Sequence, residues 1–188
     1  MRHYEISLDG SGLSYEAGDA LGVVPANCHE LVDGLLATLR RQGEESVAVV
    51  EKAMTLREAL TRHLDITKPS QELMEAVAKA APDSGLAPLL AAERREDLKK
   101  WLCGRDVHDL LNLLPAPMAL ERALPLFRKL APRLYSISSS PKAHPGEVHL
   151  TVSTVRYQSH GRGRIGVAST FLADRAGAQG NPGVERRL

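Results

Sequence analysis

The spacing of apolar residues changes twice along the chain, and that change restricts the fold more than any other feature. Up to about residue 54 the pattern is short alternating runs cut by Gly, Pro and Asp. From 55 to 130 it follows helical spacing. From 131 onward alternation returns. Strand, then helix, then strand predicts an α+β chain in which an all-helical segment, 55–130, is inserted into a β domain formed by 1–54 and 131–188. Two domains in tandem would not return to strand periodicity.

The helical stretch carries its own punctuation. Thr55 with Glu58 three residues on is a capping-box signature, and Ser70 is placed to cap a helix running to Ala81. Further helices are expected over Leu86–Ala92, Glu93–Leu102, Asp106–Leu114 and Met118–Leu130. Before it, Asn27 with Glu30 reads as the capped start of a helix whose stripe is Leu31, Leu35, Leu36 and Leu39 and whose end is Gly43. Residues 3–7, Ala20–Pro25 and Val47–Val50 read as strands. The clearest strand is Glu147–Tyr157, with Val148, Leu150, Val152 and Thr154 inward and His149, Thr151, Ser153, Val155 and Tyr157 on the other face. A turn is expected over Ser159–Arg164.

Composition excludes several classes. An apolar share of 43% supplies a core, and a net charge of +1 gives no field for nucleic acid or an acidic membrane. No apolar run approaches the ~18 residues of a membrane span. Cys28 and Cys103 form no CxxC and read as free thiols in a reducing compartment. No signal peptide precedes the first alternating run. The expectation is a soluble cytoplasmic chain. Trp101, His63 and His108 read as core, and two histidines without Cys or acidic partners at ligand spacing give no metal site.

Recognition chemistry gathers in Arg133-Leu134-Tyr135-Ser136-Ile137-Ser138-Ser139-Ser140-Pro141. Alternation puts Arg133 and Tyr135 on one face and Leu134 and Ser136 on the other. A guanidinium fork suits phosphate and a phenol ring suits stacking, so the pair fits a ligand with both a phosphate and a ring. The same residues also fit a serine-rich loop after a helix. Gly166-Val167-Ala168-Ser169 reads as a glycine-led helix start, where bare N–H groups and the helix dipole favour phosphate, with Arg162 and Arg164 adding charge.

Taken together, Arg133-Leu134-Tyr135-Ser136, Thr151-Val152-Ser153 with Tyr157, and Gly166-Val167-Ala168-Ser169 resemble, in order and spacing, the FAD domain of ferredoxin-reductase-like flavoproteins. Tyr15–Val23 with Pro25 and Asn27 is similar to the NADPH-dependent diflavin reductases, and Arg156-Tyr157 with Ser169–Arg175 to their sulfite reductase type. The resemblance implies an antiparallel Greek-key β-barrel of the FAD-binding type, with the helical insertion as the connecting domain. It implies that Arg133 meets the FAD diphosphate, Tyr135 stacks on the isoalloxazine, and Ser136 lies near flavin N5. It also implies that Thr151, Val152 and Ser153 lie along the cofactor and Tyr157 packs toward the adenosine. Gly166, Val167, Ala168 and Ser169 would hold the diphosphate, and Thr67 would reach in from the connecting region. No side chain is expected to be a catalytic acid, base or nucleophile, since the flavin carries the chemistry.

The same resemblance implies NADPH and FMN only through domains outside this chain, and electron flow from NADPH through FAD to FMN and an acceptor such as the sulfite reductase hemoprotein. Against the family pattern the barrel reads as incomplete: the chain begins near the second strand, and Gly180–Leu188 does not resemble the closing strand. Weak FAD binding, or self-association to complete the barrel, is then expected. The alternative reading is a non-catalytic flavin-binding or interaction module. A serine hydrolase on Ser138–Ser140 is excluded by the absence of a nucleophile-elbow pattern.

Overall fold

The computed structural model describes residues 1–176 and, as backbone, 184–186. In chain order the elements are β1 (Arg2–Ser7), β2 (Ala20–Val23), α1 (His29–Leu39), β3 (Ser46–Val49), β4 (Lys52–Thr55), α2 (Leu56–Arg62), β5 (Leu64–Asp65) and α3 (Gln71–Ala80). After three short 3-10 turns come α4 (Arg95–Leu102), α5 (Val107–Leu111), α6 (Leu120–Ala123), β6 (Arg128–Lys129), β7 (Arg133–Ser136) and β8 (Glu147–Val152). The chain continues through β9 (Arg156–Ser159), β10 (Arg162–Ile165), α7 (Val167–Asp174) and β11 (Val184–Arg186). The α+β class is what the structure has, and no helix is long and apolar enough to cross a membrane.

Two compact units divide the chain. One is Met1–Ala26, Ala131–Tyr157 and Gly163–Leu188; the other is Asn27–Leu130 with Gln158–Arg162. The helical unit takes in α1, which packs its Val32, Leu35, Leu36 and Leu39 into the same core as Leu56, Leu60, Leu73, Val77 and Leu110. In the strand unit, β1 pairs antiparallel with β8, and β2 lies between β7 and β11. Its core is Leu8, Leu21, Val23, Val148, Leu150 and Val152, with Phe171 and Leu172 of α7. Among the described residues the sheets do not close into one barrel; the end of β7 meets β8 through an isolated bridge, Ile137 to Leu150.

The side-chain caps formed as the local signals predict. Thr55 accepts from the Glu58 N–H, Ser70 from the Leu73 N–H, and Asp106 with Asp109 makes a full capping box on α5. Other expectations are corrected. Leu86–Ala92 is only a 3-10 turn, Ala87–Leu90, since Ala91 turns extended. Met118–Leu130 yields the single turn α6; Pro125 leads into a 3-10 turn, and an extended Phe127 starts β6. At the C-terminal end, Val184–Arg186 pairs with β2; the rest of 180–188 lies outside the described residues.

Asn27 does not cap α1. The N-cap is Cys28, without a side-chain bond, and Arg40, not Gly43, takes the left-handed C-cap. The Asn27 Nδ2 instead donates to the carbonyls of Leu60 (2.6 Å) and Leu64 (2.8 Å), and its backbone N–H donates to Thr61 O (2.9 Å). At the other end of the helical unit, the Leu130 N–H donates to His63 O (2.8 Å). Entry and exit are therefore fastened to one short stretch, residues 60–64. Asn27→Ala leaves two carbonyls without their buried donor and is expected to lower stability by about 1–3 kcal/mol. Urea titration followed by the fluorescence of Trp101, the chain's only tryptophan, reads this in the helical unit.

Candidate functional site

β7 places the recognition residues by pleat. Arg133, Leu134, Tyr135 and Ser136 stand opposite Val23, Gly22, Leu21 and Ala20 of β2. Arg133 and Tyr135 are half-buried on one face, and Leu134 and Ser136 are exposed on the other. The Tyr135 ring packs against the strand unit's core. Burial raises the pKa of its phenol, an effect partly offset by the positive charge of Arg133. The Arg133 Nη1 reaches back to Ala131 O (3.3 Å).

The hydroxyls that follow are spent on structure. Ser138 Oγ donates to His149 O (3.1 Å), while Ser139 Oγ accepts from the His149 N–H (3.0 Å) and lies 2.6 Å from the Tyr15 hydroxyl. These bonds, with the Ile137–Leu150 bridge, stitch the end of β7 antiparallel onto β8.

β8 is shorter than predicted. It stops at Val152 because the backbone of Val155 turns away to the start of α7: the Val155 N–H donates to Ser169 Oγ (3.1 Å), and Val155 O accepts from the Gly166 N–H (2.9 Å). Thr151 and Ser153 are exposed, whereas Val152 is core, so Val152 can offer a ligand only its backbone. Tyr157 lies past the break on β9, half-exposed, and the predicted turn shrinks to His160-Gly161, both at positive φ, between β9 and β10.

α7 starts where expected, with Gly166 as N-cap. Its first turn offers the amides of Val167, Ala168 and Ser169, which have no acceptor within the helix. The side chains of those three residues are buried, and the Ser169 hydroxyl is engaged with Val155 and Gly166. A Cβ on Gly166 would come within 2.7 Å of Ser169 Oγ and 2.9 Å of Val155 Cβ, so nothing larger than glycine fits without displacement.

One contiguous path of backbone bonds thus joins β7, β8 and α7, bringing three of the predicted motifs into one unit. Two expectations do not join it. Arg162 is committed to the helical unit, where its Nη1 bonds Asp109 Oδ1 (2.9 Å), His108 Nδ1 (2.8 Å) and Asp106 Oδ1 (3.2 Å). Burial pulls its pKa down, but the two carboxylates raise it further. Thr67 also belongs to the helical unit; its hydroxyl and N–H both donate to Asp65 Oδ1, at 2.7 and 2.9 Å. Arg164 is buried in the strand unit just before Gly166.

The donor set, a guanidinium beside a half-buried phenol ring and a helix N-terminus with a glycine cap, fits a ligand that combines an aromatic system with a diphosphate. The sequence profile of the FAD binding domain matches residues 1–171. The chain belongs to the FAD binding domain family. Among curated proteins, the chain is 43% identical over 177 residues to the sulfite reductase [NADPH] flavoprotein alpha-component of Bacillus subtilis, covering 93% of this chain and 29% of that protein. The likeness to the protein of the same name from Mannheimia succiniciproducens is 39% over 180 residues, or 96% and 30% of the two lengths. This FAD-binding-domain chain therefore spans less than a third of the length of these relatives.

Proposed function

We propose that the chain is the FAD-binding and connecting region of an NADPH-dependent diflavin reductase of the sulfite reductase type. The observation that carries this is the continuous β7–β8–α7 path, which gathers an arginine, a stackable ring and a helix start in a chain of the FAD binding domain family. Bound FAD would supply the hydride and electron chemistry, and the protein would supply position and polarity.

In this reading Arg133 holds the diphosphate from one side, and the amides of Val167, Ala168 and Ser169 in the turn capped by Gly166 hold it from the other. Tyr135 covers the isoalloxazine face, and Ser136 orients its N5 edge. Thr151, the Val152 backbone and Ser153 line the cofactor, and Tyr157 packs on the adenosine. Thr67 contributes from the connecting region. The strand segments complete a Greek-key barrel in the whole protein, and 55–130 forms the connecting domain. NADPH, an FMN domain and an acceptor hemoprotein belong to that larger cytoplasmic assembly, and self-association of the strand unit is a further element of this reading.

The test is reconstitution. The purified chain mixed with FAD and passed through gel filtration is expected to retain a flavin absorption band at one equivalent. No binding in an equilibrium titration of FAD fluorescence against the folded chain, up to high micromolar protein, would refute the assignment.

A further inference from the structure

The outward face of the β1–β8 pair holds a cluster of imidazoles and carboxylates that the flavin reading does not use. Glu5 stands directly across from His149 in the antiparallel register, and His3 is one pair further along that face. His3 and Glu5 are exposed, as is Glu147, but His149 is only 7% exposed. Other imidazoles lie against it: the His144 ring is centred 4.2 Å away, and the His3 ring 5.1 Å away at right angles. The His149 Nε2 lies 3.3 Å from Glu147 Oε2. Ligand atoms of His144, Glu147 and His149 all fall within 4.8 Å of one another, and those of His3, Glu5 and His149 do likewise.

We propose that His144, Glu147 and His149 bind one divalent transition-metal ion of the zinc class. Ligand bonds of about 2.0–2.1 Å at tetrahedral angles put ligand atoms about 3.4 Å apart. The His149–Glu147 pair already has that spacing, and the ligand atom of His144, an exposed residue, lies within 4.8 Å of both. Two nitrogens and one oxygen leave a fourth position for water and suit a borderline ion better than calcium or magnesium. His3 and Glu5 share His149 with this set, so the two groups compete for one imidazole and the face takes a single ion. The bound ion would pin the loop after β7 to β8. The third such cluster, Asp106, His108 and Asp109, differs because the Arg162 guanidinium already sits among its ligand atoms.

Zinc chloride titrated calorimetrically into the full chain at pH 7.5, in a buffer that does not chelate, is the experiment. One equivalent is expected to bind, with and without FAD present, and a flavin-free chain that still binds zinc separates this site from the cofactor reading. His144→Gln and Glu147→Gln, both at exposed positions, are each expected to weaken binding at least tenfold while the metal-free melting temperature stays unchanged. His108→Gln is expected to bind as the parent does. Absence of zinc binding to a folded parent, or parent-like affinity in both His144→Gln and Glu147→Gln, overturns the proposal.

Discussion

Replacing Arg133 with alanine is expected to weaken FAD binding by about 10- to 100-fold, the range of a charge-assisted hydrogen bond worth about 1.5–3 kcal/mol. The fold should be little affected, since the side chain is only half-buried. Arg133→Lys should recover part of the affinity, because a lysine keeps the charge but not the planar fork. Tyr135 needs a subtler substitution. Its ring also packs on the strand unit's core, so Tyr135→Ala confounds lost stacking with lost packing. Tyr135→Phe keeps the ring and should bind FAD nearly as the parent does, while Tyr135→Leu keeps the bulk and should lose affinity. Titration of FAD fluorescence against protein gives these constants. Parent-like binding by Arg133→Ala and Tyr135→Leu would show that β7 is not where the cofactor lies.

Gly166→Ala is the second large effect, and it strikes stability and binding together. The backbone there, at φ −78° and ψ 118°, suits any residue, so the cost is steric. The new methyl would approach Val155 Cβ at 2.9 Å and Ser169 Oγ at 2.7 Å. The serine oxygen is held by the Val155 N–H, and a Cβ cannot rotate away, so the first turn of α7 must shift from Val155. Overpacking of this kind costs about 1–3 kcal/mol. Because the same turn supplies the amides proposed for the diphosphate, FAD affinity should fall in parallel. Removing the hydroxyl as well, in Gly166→Ala with Ser169→Ala, clears one of the two clashes but leaves Val155 and also removes the Val155–Ser169 bond, so little rescue is expected. Thermal melts and FAD titration of the same samples test both parts; an unchanged melt for Gly166→Ala contradicts the steric account.

What the residues disclosed in advance was mostly local. Thr55, Ser70 and Asp106 cap helices because their partners lie three residues away, a distance that a sequence displays. Asn27 has the same local signature, yet its amide is drawn to Leu60 and Leu64, partners more than thirty positions on. The pleat of Arg133–Ser136 was legible for the same reason that caps are: alternation is a property of neighbours. The end of β8 was not, because it is Gly166 and Ser169 that divert Val155. Arg162 looked like a phosphate ligand until the Asp106–Asp109 box placed two carboxylates around it. His3, His144 and His149 give no motif at all, since only the pairing of β1 with β8 and the returning loop bring them to one face.

The fastening of Asn27 and Leu130 to residues 60–64 also bears on the order in which the chain assembles. β2 must find β7 across more than a hundred intervening residues, and β1 must find β8 across still more. Closing loops of that length by random search is entropically costly, and folds dominated by such distant pairings form slowly. The helical unit is almost one continuous stretch with many near-neighbour contacts, and its completion ties its own two ends together. Once it has formed, Asn27 and Leu130 are both bonded to residues 61–63, which shortens the effective loop between the strand segments that precede and follow them. The insertion is then expected to act as an intramolecular template that folds first, with the two-piece sheet condensing afterwards.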